Sequence, residues 1–116
     1  MTGGLGDDTY IVADPNAKVV ESYGGGVDTV ISTVTYKLPD YVENLTLTGS
    51  AAINGTGNSE ANIIIGNDAA NIITGGVGND ILTGGGGADT FVINSGDGSD
   101  IITDFTLGST AGHDVV

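Results

Sequence analysis

Along residues 57–92 a large apolar side chain returns every nine positions, at Ile64, Ile73, Leu82 and Phe91. Each stands eighth in a unit that opens on glycine (Gly57, Gly66, Gly75, Gly84) and has Asn62, Asn71, Asp80 or Asp89 sixth. The last three residues of each unit have strand chemistry with one inward anchor, and the glycines before them mark tight turns. Helix is excluded, because no ten-residue segment is free of glycine or of a strand-like Val/Ile/Thr pattern.

The same pattern recurs outside this block. Gly3–Ile11 has Asp8 sixth and Tyr10 eighth, Tyr23–Ile31 has Asp28 and Val30, and Ser95–Thr103 has Asp100 and Ile102. Asp8 and Asp28 are 20 residues apart, as are Asp80 and Asp100. Between the blocks, Asp14-Pro15-Asn16 and Pro39-Asp40 are turn signals, and Leu45 and Leu47 alternate with Thr46 and Thr48 as in a half-buried strand. Asn54-Gly55 alone is a hairpin motif, which the surrounding repeat disfavours. The chain reads as one module over 1–116 and a fragment of a larger protein. It divides into a repeat block (3–31), a spacer of strand coils (32–56), a regular block (57–103) and a tail (104–116).

Nine residues cannot bury an apolar face alone, but two units form a coil of 18, and coils can stack about 4.8 Å apart on parallel ladders. The expected fold is all-β, a right-handed parallel β-roll with glycine turns in rows along both edges. Asp80 should then lie over Asn62, and Asp89 over Asn71. Counting back 18 from Asn62 reaches Asn44, with a register break expected near residue 50.

Charge narrows the chemistry. Fifteen acidic residues face only Lys18 and Lys37, for a net charge of −13, so cations are attracted while nucleic acid and anionic lipid are repelled. Cysteine is absent, which excludes disulfides and thiolate metal sites. No apolar run approaches the roughly 20 residues that span a bilayer, and MTGGLGDD lacks the basic and apolar segments of a cleaved secretory signal. No Gly-x-Gly-x-x-Gly, phosphate loop or EF-hand loop occurs, and the one histidine, His113, has no evident catalytic partner. The chain itself is therefore read as non-enzymatic.

Gly75–Val92, GGVGNDILTGGGGADTFV, resembles the glycine-rich nonapeptide of the RTX, or haemolysin-type, calcium-binding repeats. A cation between stacked turns would take carbonyls and an Asp oxygen from one turn and carbonyls from the next, a hard oxygen shell suited to Ca²⁺. The resemblance implies Asp8, Asp28, Asp80, Asp89 and Asp100 as side-chain ligands. The turn residues Gly3, Gly4, Gly6, Gly24, Gly26, Gly75, Gly76, Gly78, Gly84, Gly85, Gly87, Gly96 and Gly98 complete the set, with Asn71 as a neutral oxygen. The turns with Asn62 and Asn71 are expected to bind weakly or not at all. The resemblance further implies type I secretion, with a chain loose inside the cell that folds on extracellular calcium. Alternative readings are a polysaccharide-binding accessory module of a secreted enzyme (alginate epimerase, lipase or protease type), or an adhesin or ice-binding stalk. The stalk would use Thr46, Thr48, Thr56, Thr74 and Thr83 as one flat face. Open coil ends are expected to favour end-to-end self-association.

Overall fold

Each winding starts where a glycine or asparagine turn hands over to a short apolar run, and that run forms a strand with alternate residues inward. A computed structural model describes residues 1–93 and 98–104; among them are ten strands and no helix. These are β1 (Thr9–Val12), β2 (Thr29–Ser32), β3 (Tyr36–Lys37), β4 (Asn44–Leu47) and β5 (Gly55–Thr56), followed by β6 (Ile63–Ile65), β7 (Ile72–Thr74), β8 (Ile81–Thr83), β9 (Thr90–Val92) and β10 (Ile101–Ile102). All pairings are parallel. One sheet runs β1-β2-β4-β6-β8-β10 and the other β3-β5-β7-β9, so the molecule is a parallel β-solenoid.

The eighth-position residues form its spine. Tyr10, Val30, Leu45, Ile64, Leu82 and Ile102 align rung by rung on the larger sheet. They meet Tyr36, Ile73 and Phe91 of the smaller sheet in a single core. Val30, Leu45, Ile64, Ile73, Leu82 and Phe91 have no exposed surface, as burial of the main apolar anchor of each unit requires. Asp80 stacks with Asn62 and Asp89 with Asn71, as their 18-residue spacing predicts.

The register break expected near residue 50 is present, and the 18-residue count does not carry through to Asn44. Asn44 pairs with Ile63, so Glu43 rather than Asn44 stands beside Asn62. That coil has 19 residues, and the extra one sits in the connection between β4 and β6, where Leu45 keeps the inward place and no hairpin forms at Asn54-Gly55. In the turn before β2, Thr2 bridges Val20, which sets Glu21 opposite Gly3. The predicted threonine face is also divided: Thr46 and Thr83 belong to the larger sheet, Thr56 and Thr74 to the smaller, and Thr48 follows β4.

Gly55 occupies an inward place that Tyr36 and Ile73 fill on neighbouring rungs. The opposite sheet explains the exchange. A Cβ there would lie 2.9 Å from Leu45 Cδ2 and 3.4 Å from Leu47 Cδ1 and Ile64 Cγ2. Gly55→Ala should therefore lower stability by about 1–3 kcal/mol through overpacking, read from urea unfolding.

Candidate metal centres

The residue just before each strand of the larger sheet forms one row along its edge: Asp8, Asp28, Glu43, Asn62, Asp80 and Asp100. Side-chain oxygens tie most of this row together. Asp28 Oδ1 accepts the Asp8 amide at 2.8 Å, Glu43 Oε2 that of Asp28 at 2.8 Å, Asp80 Oδ1 that of Asn62 at 2.7 Å, and Asp100 Oδ1 that of Asp80 at 2.9 Å. On the other edge Asp89 Oδ1 accepts the Asn71 amide at 2.9 Å. One carboxylate oxygen is thus used to hold the ladder.

The second oxygen is the chemically informative one. In Asp8, Asp28 and Asp100, Oδ2 is buried without a hydrogen-bond partner, a costly state for a carboxylate oxygen unless a cation meets it. Oδ2 of Asp8, Asp80 and Asp89 lies against the opening glycine of its own turn, where a Cβ on Gly3, Gly75 or Gly84 would collide with it. Gly76 and Gly78 have φ of +90° and +115°, and a Cβ on them would come within 2.6 Å of the Asn58 carbonyl oxygen and 2.7 Å of that of Glu60. Only glycine lets neighbouring turns approach this closely. Carboxylate and carbonyl oxygens gathered between turns are the donor set of a calcium site, and these residues fit that ion.

Of the expected ligand positions, Gly4, Gly6, Gly24, Gly26, Gly85, Gly87 and Gly98 also have positive φ in turns. Gly96, Ser95 and the tail from Phe105 onward, His113 included, lie outside the described residues.

The asparagine turns are built differently. Asn62 Nδ2 donates to the carbonyl oxygens of Val42 (3.3 Å) and Glu43 (3.1 Å) and to Asn58 Oδ1 (3.0 Å), while its Oδ1 accepts the Asn58 amide at 2.9 Å. Asn58 Nδ2 adds bonds to the Pro39 and Val42 carbonyls at 2.7 and 2.8 Å. One edge over, Asn71 Nδ2 donates to the Ile53 carbonyl at 2.6 Å and to Asn67 Oδ1, and its Oδ1 accepts the Asn67 amide. Asn67 Nδ2 reaches the Ala51 carbonyl at 2.9 Å. An amide NH₂ meets the carbonyls of the adjoining turn, so the Asn71 side chain expected to serve an ion is engaged by protein groups.

Sequence reasoning missed three contributors: Asn58, Asn67 and Glu21. The signal for the first two was present, since Gly-Asn-x-x-x-Asn occurs at Gly57 and again at Gly66. Glu21 lies exactly one regular coil, 18 residues, after Gly3.

Burial, with Glu60 and Asp28 nearby, raises the pKa of Glu43 above the ordinary glutamate value. An acid whose pKa is raised by folding loses stabilising effect as pH climbs from its unfolded to its folded value. In chelator, Glu43→Gln should therefore raise Tm at pH 7, with the gain fading toward pH 4. Thermal melts at the two pH values test this.

A family model described as the RTX calcium-binding nonapeptide repeat, in four copies, matches residues 56–91. The chain carries RTX calcium-binding repeats. Two curated proteins of Rhizobium meliloti (strain 1021) are similar to it. They are the endo-1,3-1,4-beta-glycanases EglC, 55% identical over 105 residues, and ExsH, 49% identical over 105 residues. Each alignment takes in 90% of this RTX chain but only 22% of the glycanase. No solved structure is a significant match.

Proposed function

We propose that this chain is the calcium-dependent folding module of a larger, secreted bacterial enzyme that acts on a β-glycan. The observation that supports it most is the buried Oδ2 of Asp8, Asp28 and Asp100, without a hydrogen-bond partner, along the glycine-turn edge of the larger sheet. Asp8, Asp28, Asp80, Asp89 and Asp100 supply the carboxylates and the glycine turns the carbonyls. In the cell, where calcium is scarce, like charges keep these turns open; outside it, the ion draws neighbouring rungs together. Each site binding only the folded chain adds about 2.7 kcal/mol at 100 times its Kd. The similarity to two glycanases supports the nature of the parent enzyme, whose catalytic portion would lie elsewhere in the protein.

Calcium titration followed by circular dichroism tests the folding switch, and should show strand content rising with calcium. Asp80→Ala should weaken calcium binding by calorimetry, whereas Asp40→Ala, on an exposed residue beside Pro39, should leave it near that of the parent chain. Equal affinities for the two variants would remove Asp80 from the ligand set.

A further inference from the structure

We infer that Glu21 is a third carboxylate ligand beside Asp8 and Asp28, and that their turn binds a hard divalent cation more tightly than the other glycine turns. The inference rests on the calcium-binding reading above and adds a donor that the nonapeptide pattern does not contain.

The Thr2–Val20 bridge sets Glu21 opposite Gly3, in the place that glycine occupies in the regular turns. Two groups fold its side chain inward: the Gly3 amide donates to Oε1 at 3.3 Å, and the Tyr10 hydroxyl donates to the same oxygen. Glu21 is 9% exposed. One carboxylate oxygen from each of Asp8, Glu21 and Asp28 lies within 4.8 Å of the other two. Oxygens bound to one calcium ion at about 2.3–2.6 Å can be at most about 4.6–5.2 Å apart, so a single ion can serve all three.

A separate observation also points to a ligand. Asp28 is fully buried, and its Oδ2, like that of Asp8, has no hydrogen-bond partner. Three carboxylates at this spacing repel one another, and a cation both relieves that repulsion and satisfies the orphaned oxygens. Ligand charge is one of the factors that set affinity in calcium loops, and here it exceeds what one aspartate per turn provides.

Terbium, a calcium-sized ion whose emission is excited through nearby tyrosine, reads this turn because the Tyr10 hydroxyl touches Glu21. In the full chain, the tightest terbium step should move to at least about tenfold higher concentration in Glu21→Gln, as expected for losing a charged ligand. Calcium should compete for that step, and Asp40→Ala should leave it unmoved. Glu21→Gly restores the glycine found at this place in the regular turns, so it gives the same reading where Glu21→Gln does not fold. Parent-like midpoints in either variant, with the roll intact by circular dichroism, would overturn the role of Glu21 alone. A parent chain that binds neither terbium nor calcium would overturn the calcium reading itself, and this inference with it.

Discussion

Asn62→Ala should destabilise the roll severely even where no calcium is present. The side chain is 1% exposed and serves the Asn58 amide and the carbonyls of Val42 and Glu43. Truncation strands the Asn58 amide at about 1–3 kcal/mol and removes one of two donors from each of the Val42 and Glu43 carbonyls, which keep Asn58 Nδ2 and the Ile63 amide. Set against a typical total of about 5–15 kcal/mol, such a loss is a large part of the whole. Asn62→Asp separates the alternatives. It keeps the oxygen that accepts the Asn58 amide but replaces the donor facing Val42 and Glu43 with a negative charge. Urea unfolding in chelator should find Asn62→Asp about as damaged as Asn62→Ala, and added calcium should restore stability in the aspartate variant only. Equal stability of all three chains in chelator would show that the amide clamp contributes nothing.

The second large effect is the uneven loss of order when calcium is removed. Asn58 and Asn62 join the turn at 57–62 to the carbonyls of Pro39, Val42 and Glu43, while Asn67 and Asn71 join the turn at 66–71 to those of Ala51 and Ile53. These bonds need no ion. On the calcium reading proposed above, the flanking rungs depend instead on Asp8 and Asp28 at one end and on Asp80, Asp89 and Asp100 at the other. In chelator, amide hydrogen exchange should stay slow in β4, β6 and β7 and become fast in β1, β2 and β10, since regions of one fold open with different free energies. Exchange that accelerates uniformly, or not at all, would contradict this division.

The fold was legible because one residue in nine has a single job. The apolar column of Ile64, Ile73, Leu82 and Phe91, together with glycine at each turn, left no other architecture able to bury those side chains. Register in the spacer was less legible. The 18-residue rule reached Asn44 where Glu43 stands, because a solenoid fixes its rungs through strand pairing while its turns admit extra residues unseen. The site showed the same split. Aspartates in glycine turns announced themselves, but Glu21 lies in a connector with no repeat signature, and only its height on the ladder brings it to Asp8. Asn58 and Asn67 were hidden for another reason: their turns, with Asn62 and Asn71 sixth, were read as weakened aspartate turns, whereas asparagine nitrogens perform a task an aspartate cannot.

The windings on the larger sheet differ in length, with 20, 15, 19, 18 and 20 residues between successive rungs, yet each strand meets its neighbour in step. Slack is taken up at the corners while the walls keep their course, as in a brick tower with balconies of unequal depth. Lineages carrying this module are therefore free to enlarge or trim its corners, or to splice in whole storeys, without re-laying the masonry between.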